Sequence, residues 1–345
     1  MDVCFFFDIT KHLEEKSCVF HFFVLPLRRK LDAAKMDWKA TVNKNLLMIA
    51  MVVGIIGYPV FRHLMPLLPP LIFLMLFFAF LRIKPRTLRF HRWHWAVLGT
   101  QIPLAIGSYY LIMALPPVVE SQEILAQGVM LCFLMPTATA APIIANKLGG
   151  NLESLTSFTL LTNILTAIIV PLFFPVIHPM PGLTFWSASW TLLCRVGPLL
   201  LGPFICSWIV QLILKDERME RINSKCKDVP FFLWSGTIII LTGDVTHTLV
   251  HGTYPVSTLV IMAAAALVVC LIQFFFGKWL GYRLYNKDHS MRIAAGQAFG
   301  QKNTSLGVWM AETYLLPYSC LGAAAYIVWQ NIFNSEQLRR QKTAE

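Results

Sequence analysis

The stretch GQKNTSLG, Gly300–Gly307, lies in the middle of an apolar run that extends from Ala294 to Leu316. The run is long enough to cross a bilayer, since a spanning helix needs roughly 20 residues. Yet five polar residues follow one another at its centre, and one of them is Lys302. A lysine at the centre of a membrane helix costs about 2.5–3.5 kcal/mol, and such residues usually face a cavity or a partner. The pattern therefore predicts a functional site around Lys302.

The composition of the chain is that of a membrane protein. Of its 345 residues, 56% are hydrophobic and 14% are charged, whereas soluble proteins carry about 25% charged residues. The net charge of +11 is explained by basic residues between apolar runs, which orient a chain in a membrane and need no nucleic acid. The eight cysteines show no metal-site spacing, and P-loop, G-x-S-x-G and G-x-G-x-x-G motifs are missing. We expect no enzyme activity, no cofactor and no bound metal.

The first 35 residues do not fit the rest of the chain. They lack the basic start, long apolar core and small-residue cleavage site of a signal peptide. The sequence from Met36, MDWKATVNKNLLMIAMVV, resembles an ordinary bacterial start with a basic flank. Residues 1–35 are therefore a doubtful N-terminal extension, or a short amphipathic helix at the membrane surface, and 36–345 is the expected membrane domain.

The apolar runs predict an all-α protein with ten transmembrane helices. Each run is near the length that a bilayer requires, although the ends are uncertain by a few residues. The predicted spans are about 45–64, 67–82, 94–115, 124–147, 153–177, 190–213, 230–250, 256–281, 291–314 and 317–334.

The basic residues between these spans predict the orientation of the chain. Lysine and arginine favour cytoplasmic connections, and the basic connections all fall on one side when ten spans are counted. Both termini are then cytoplasmic, as expected for a multi-pass protein of a bacterial inner membrane. The basic residues are Arg82, Lys84, Arg86, Arg89 and Arg92 after span two; Lys215, Arg218, Arg221, Lys225 and Lys227 after span six; Arg283, Lys287 and Arg292 after span eight; and Arg339, Arg340 and Lys342 at the C-terminus.

Two of the predicted spans contain signals for a broken helix. Span four carries Pro136 and Pro142 around a TATAA patch, and proline removes a helix hydrogen bond. Span nine carries glycines on both sides of its polar run. These spans are the fourth and the ninth, the same place in each half of a five-plus-five chain. Interrupted helices at matching positions of inverted halves indicate a transporter binding site.

Three segments resemble the bile acid:sodium symporter family. They are MPTATAAPIIANKLGGN at 135–151, the span that follows it, and GQAFGQKNTSLGVWMA at 296–311. Each motif is weak alone, but their order and spacing match over most of the chain from about Leu46 to Asn334. The resemblance implies a panel domain from helices at about 45–82 and 190–250. It also implies a core domain from helices at about 94–177 and 256–334, in which broken helices four and nine cross.

The resemblance also shows where this sequence departs from the sodium sites of the family. The glutamate of the ninth-helix motif falls on Ala298, and the glutamine before the asparagine falls on Lys302. The Ser-Asn pair of the fourth helix falls on Ala141 and Pro142. Asn303 matches the asparagine of the family. The chain is thus similar to a divergent branch that lacks most sodium ligands.

A lysine can take the place of a sodium ion, because its ammonium donates to the same oxygens that would bind the ion. Our hypothesis is that the Lys302 ammonium touches carbonyls freed at the helix crossover, either as a fixed charge or as a proton carrier. The expected site residues are Lys302, Asn303, Gln301, Thr304, Thr137, Thr139, Gln101, Thr159 and Asn163. Of these, Thr139 matches the threonine of the family motif.

Two further charges lie inside predicted spans of the panel. Arg195 and Asp244 reach a similar depth from the outer side, which predicts an ion pair between spans six and seven. The pair would brace the panel, or Arg195 would bind a substrate anion. Cys132, four residues before Pro136, invites comparison with arsenite efflux proteins, although a single cysteine in an apolar helix is usually a packing residue.

The sequence therefore predicts a secondary transporter that moves a small organic anion by alternating access, linked to protons or independent of sodium. Its expected partners are the lipid bilayer and this substrate, with no nucleic acid. An arsenite-type efflux permease and a non-transporting sensor or scaffold of the same fold are the alternatives.

Overall fold

The computed structural model describes Leu46 and residues 49–83, 86, 88–117, 119, 121–214, 216–226, 228–252, 256–316 and 318–344. The doubtful extension at 1–35, the start of the first predicted span and the basic residues Lys84, Lys215 and Lys227 lie outside these residues. Of the unit Met1–Ala50, only Leu46, Ile49 and Ala50 are described, all in helical conformation. The second unit is Met51–Glu345.

The regular elements in the described part of this unit are all helices, and no strand is among them. The predicted all-α class is therefore confirmed. Residues 51–56 are helical, and a 3-10 turn at Arg62–Leu67 joins the first two labelled helices. The helices are α1 (Tyr58–Phe61), α2 (Leu68–Phe80), α3 (Arg92–Ala114), α4 (Gln122–Leu134), α5 (Ala141–Lys147), α6 (Leu152–Ile177), α7 (Phe185–Ile213), α8 (Asp216–Lys225), α9 (Val229–His251), α10 (Val256–Leu284), α11 (His289–Gly300), α12 (Thr304–Tyr314) and α13 (Cys320–Ala344).

Six helical stretches among the described residues are long and apolar enough to cross a membrane. They are the stretch Tyr58–Phe80 and helices α3, α6, α7, α9 and α10. Large apolar side chains on their outer faces are exposed, as at Val260 and Val268 in α10, which are 61% and 55% exposed. An apolar exterior suits lipid as the solvent. The architecture is compatible with a multi-pass membrane protein.

The first two predicted spans are not separated by a loop as the sequence suggested. A 3-10 turn continues the helical path between α1 and α2, so that Tyr58–Phe80 forms one stretch. Prolines explain this path, because Pro59, Pro66 and Pro69 lie along it and fix φ near the helical value while removing helix hydrogen bonds. The chain therefore keeps helical geometry through this proline-rich segment.

Both predicted helix breaks are confirmed. The fourth predicted span divides into α4 and α5 around residues 135–140, and the ninth divides into α11 and α12 around Gln301–Asn303. Pro142 lies in the first turn of α5, where its missing N–H costs no helix hydrogen bond. The Asn303 side chain accepts from the backbone N–H of Leu306 and so caps α12.

Contacts between the helices define two groups around the breaks. Helix α2 packs against α7 and α9, whereas α10 packs against α4, α11 and α13. Very close approaches hold the second group together. A Cβ at Gly322 of α13 would lie 2.5 Å from the carbonyl oxygen of Gly128 in α4. Only glycine permits two backbones to lie this close.

The start of α11 is fixed by Asp288 outside the apolar segments. Its carboxylate accepts from the backbone N–H groups of Ser290 and Met291 at 2.8 and 3.3 Å, and from the Ser290 hydroxyl at 2.9 Å. The hydrogen bond from the Ser290 side chain is the largest reason why the pKa of Asp288 is lowered. The carboxylate is a charged N-cap that complements the positive end of the helix.

Candidate functional site

The two helix breaks meet and pair with each other. Thr137 and Lys302 form an isolated antiparallel bridge. The N–H of Ala138 donates to the carbonyl of Gln301 at 2.9 Å, and the N–H of Asn303 donates to the carbonyl of Pro136 at 2.8 Å. Each unwound segment thus satisfies backbone groups of the other, as buried irregular backbone requires.

The carbonyls freed at the end of α4 receive donors from neighbouring helices. The amide of Gln101 donates to the carbonyls of Leu134 and Met135 at 3.3 and 3.2 Å. The amide of Gln273 donates to the carbonyl of Cys132 at 3.0 Å. These three carbonyls have lost their helical partners because α4 ends at Leu134, and the side-chain amides replace those partners.

Lys302 supplies the donor for the remaining carbonyl at this helix end. Its ammonium donates to the carbonyl oxygen of Phe133 at 3.1 Å and lies 5.0 Å from the centroid of the Phe299 ring. The residue is 1% exposed. The described contacts of this side-chain nitrogen are thus a backbone oxygen and an aromatic face, and no carboxylate is among them.

The carbonyls freed at the end of α11 are also occupied. The hydroxyl of Thr137 donates to the carbonyl of Ala298 at 2.6 Å, and the hydroxyl of Tyr326 donates to the carbonyl of Gly300 at 2.7 Å. Thr137 therefore ties the two broken helices together through the protein backbone, and a role for it in binding substrate or a coupling ion stays a prediction. A side chain from each break thus contacts the end of the other broken helix.

Gln330 of α13 is a site residue that the sequence reasoning missed. Its Oε1 accepts from the backbone N–H of Lys302 at 2.9 Å, and its Nε2 donates to the Lys302 carbonyl at 3.3 Å. The side chain is 2% exposed and lines a cavity beside the two breaks. A signal was present, because Gln330, Asn334 and Gln337 recur at helical spacing on one face of α13.

A cavity of about 650 Å³ adjoins the paired breaks. Its lining includes Gln301, Lys302, Asn303 and Thr304, together with apolar side chains from α2 and α9. Charged side chains also line it, namely Arg82, Lys147 and Glu153. The volume falls within the range of small-molecule sites, and the mixture of apolar walls with a few polar groups is typical of them.

The structure brings most of the predicted site residues to this cavity or its border. Thr139 and Thr159 also line the cavity, although the Thr159 hydroxyl donates to the Leu155 carbonyl of its own helix at 2.9 Å. Asn163 is buried behind Thr159 and donates to its carbonyl at 2.7 Å. Buried atoms without a hydrogen-bond partner remain on Gln101, Asn163, Gln301 and Asn303. The first three are acceptor oxygens (Oε1, Oδ1 and Oε1) and the last is the donor Nδ2.

The structure does not bring Arg195 and Asp244 together. The Oδ2 atom of Asp244 is buried without a hydrogen-bond partner, and the charged residues that act on this carboxyl are Glu312 and Arg62. Arg195 instead lies near Tyr314 of α12. Helix α2 packs against both α7 and α9, so a similar depth in two spans did not imply that their side chains face each other.

His247 and His251, four residues apart in α9, do not complete a metal centre with other described residues. Within the described residues, no group of three His, Cys, Asp or Glu side chains has the arrangement of a metal site. The rings of His247 and His251 stack with centroids 4.1 Å apart, and His247 contacts the Arg62 guanidinium. Cys132 is fully buried and is absent from the cavity lining, as expected for a packing residue.

The chain matches no protein-family model and no curated protein.

Proposed function

We propose that the protein is a secondary membrane transporter that moves a small organic anion by alternating access, with Lys302 in the place of a coupling cation. The proposed fold has ten spans in two inverted halves of five. Its panel comprises the helices at about 45–82 and 190–250, and its core comprises the helices at about 94–177 and 256–334. The resemblance of the two break motifs to those of bile acid:sodium symporters supports this arrangement.

The contact between the Lys302 ammonium and the Phe133 carbonyl carries the proposal. A hard cation at a helix crossover would be held by oxygens of this kind. The side chain of Lys302 places a hydrogen-bond donor there without an ion from solution, either as a fixed charge or as a proton carrier. Burial of a lysine in a membrane segment has a cost in stability, so a functional role explains its presence better than packing does.

The cavity supports an amphipathic organic anion as substrate. Lys302 contributes the positive charge at its inner end, and the neighbouring amides and hydroxyls contribute hydrogen bonds. Phe80, Phe231 and Trp234 offer aromatic and apolar surface along the walls. A carboxylate or sulfonate attached to an apolar body would satisfy both parts.

The packing of the helices supports a division into panel and core. The cavity is lined by α2 and α9 from the panel and by both breaks, α5 and α6 from the core. Motion of one group against the other would open or close a cavity in this place. Arg82 and Lys147 line the cavity. Arg82 follows span two and Lys147 follows span four, and both connections are predicted to be cytoplasmic. The cavity is therefore expected to face the cytoplasm of a bacterial cell, on the side of both termini.

Thermal unfolding of the purified chain in sodium chloride and in choline chloride tests the role of Lys302. We expect that sodium does not raise the Tm of the wild type and does raise the Tm of Lys302→Gln, because the vacated space can then accept the ion. A ligand at a hundredfold excess over its Kd stabilises by about 2.7 kcal/mol. Stabilisation of the wild type by sodium would overturn the role assigned to Lys302.

Uptake of radiolabelled organic anions into vesicles that contain the purified chain tests transport itself. We expect accumulation that persists when sodium is replaced by choline. Extrusion of arsenite that depends on Cys132 would indicate an efflux permease instead. Binding of organic anions without accumulation under any ion gradient would indicate a sensor or scaffold.

A further inference from the structure

Contacts of Lys278 with Gly296 and Gln337 bring basic side chains from three helices near one another, and none of the three lines the cavity. They are Lys278 of α10, Arg292 of α11 and Arg340 of α13. Lys278 lies close enough to both arginines for their charges to repel it. We call these three residues the cation cluster. Like charges in a partly desolvated place are unfavourable unless an anion joins them.

Lys278 is held firmly at the centre of the cation cluster. Its ammonium donates to Oε1 of Gln337 at 2.5 Å and lies 5.1 Å from the centroid of the Phe333 ring. Its aliphatic stem packs on Gly296 of α11, where an added Cβ would overlap the Lys278 side chain. The hydrogen-bond acceptor is a neutral amide, so the positive charge of Lys278 is not balanced by this contact.

The nearby carboxylate of Glu336 pairs with Arg340 of the cluster and with Arg339 outside it. Glu336 accepts from Nε and Nη2 of Arg339, both at 2.8 Å, and from Nε of Arg340 at 2.6 Å. One carboxylate thus serves two guanidinium groups, while Lys278 and Arg292 add two more positive charges. In addition, the Nε2 atom of Gln337 is a buried donor without a hydrogen-bond partner. The cluster therefore has donors and positive charge in excess, as a phosphate site requires.

An apolar track leads away from the cation cluster along α10. Ile272, Phe275 and Trp279 recur at helical spacing and are 43%, 58% and 52% exposed. The Phe275 ring contacts the Phe333 ring of α13, with centroids 5.7 Å apart. Trp279 and Tyr282 are residue types that favour the boundary between headgroups and acyl chains. The track is an apolar surface suited to an acyl chain. Its end at Trp279 is next to Lys278 in the sequence.

We propose that the cation cluster binds the phosphate of an anionic phospholipid, whose acyl chain lies along the apolar track. Basic groups between membrane helices on the cytoplasmic side suit lipid headgroups of this kind. The adjoining track favours a lipid over a free phosphate ion, because only a lipid occupies both surfaces. The site requires a membrane protein but is independent of the proposed transport function.

Binding of short-chain phosphatidylglycerol and phosphatidylcholine to the purified full chain in neutral detergent tests this site, by native mass spectrometry and by Tm. We expect phosphatidylglycerol to bind at least about tenfold more tightly than phosphatidylcholine. Since each basic residue near a membrane surface contributes about a factor of five to the binding of anionic lipid, Lys278→Gln and Arg292→Gln are each expected to weaken phosphatidylglycerol binding about fivefold. Lys278→Arg, which keeps the charge, is expected to retain most of the binding.

Arg221→Gln is the matched control, because Arg221 is an exposed residue of α8 on the same predicted side of the membrane. It should leave lipid binding unchanged. Equal binding of both lipids by the wild type would overturn the proposal. Equal stabilisation by inorganic phosphate would also overturn it, as would a loss in Arg221→Gln that matches the loss in Lys278→Gln.

Discussion

The Lys302 ammonium donates to the Phe133 carbonyl oxygen across 3.1 Å, so that a side chain from one broken helix caps the end of the other. The Thr137 hydroxyl does the same in the opposite direction, because it donates to the Ala298 carbonyl at 2.6 Å. The two breaks are therefore joined by backbone pairing and by reciprocal side-chain caps. The charge of Lys302 is part of this joint, which connects the cavity to both broken helices.

We predict that Lys302→Met separates stability from function. The substitution removes a buried charge, whose placement in a membrane helix costs about 2.5–3.5 kcal/mol. It also leaves the Phe133 carbonyl without its donor, which costs about 1–3 kcal/mol. These effects oppose each other, so the Tm should change little, whereas uptake into vesicles should fall by roughly tenfold or more because the charge at the crossover is lost. A Tm drop that accounts for the whole loss of uptake would instead show that Lys302 is a structural residue.

Gln330→Leu should weaken the support of the Lys302 peptide. Leucine has a similar volume but makes neither of the two hydrogen bonds to the Lys302 backbone. Leaving a buried peptide unsatisfied costs about 1–3 kcal/mol, which should appear as a clear fall in Tm. Ile332→Ala, at an exposed position of the same helix, is the control and should have little effect. Equal Tm values for the two variants would contradict the role of Gln330.

Gly322→Ala and Gly99→Ala form a matched pair for the packing of α13 on α4. At Gly322 the new methyl group would lie 2.5 Å from the backbone oxygen of Gly128, whereas at Gly99 it would meet nothing within 4 Å. Because backbone cannot move aside as a side chain can, Gly322→Ala should destabilise by about 1–3 kcal/mol. Gly99→Ala should be neutral or stabilise by up to about 1 kcal/mol, since alanine favours a helix. The Tm of each variant in the same detergent decides the comparison.

The breaks were predictable because they depend on local chemistry. Proline at 136 and a polar run at Gln301–Ser305 cannot continue an apolar helix without loss, whatever surrounds them. The burial of Lys302 also followed from its central place in an apolar run. The partners of these residues were harder to predict, because they come from distant parts of the chain.

The expected ion pair of Arg195 and Asp244 shows this limit. The depth of a residue in a span can be read from sequence, but the direction in which it points depends on the rotation of each helix, which neighbouring helices determine. Gln330 was missed for the opposite reason. Its signal was periodic and visible, but three amides at helical spacing do not by themselves identify the peptide that they contact.

The Asp288 cap gives a prediction for pH dependence. Hydrogen bonds, chiefly from the Ser290 hydroxyl, lower the pKa of Asp288 in the folded protein below its usual value of 3.8. A lowered folded-state pKa means that this stabilisation is complete above the unfolded pKa and is lost as the pH falls through the folded pKa. Asp288→Ala should therefore lower the Tm at pH 7, by an amount that corresponds to about 1 kcal/mol, and the difference from the wild type should shrink below about pH 4. Asp288→Asn retains an N-cap oxygen and should restore most of the stability, with less dependence on pH. A difference between wild type and Asp288→Ala that stays constant down to pH 3 would show that the carboxylate charge does not contribute.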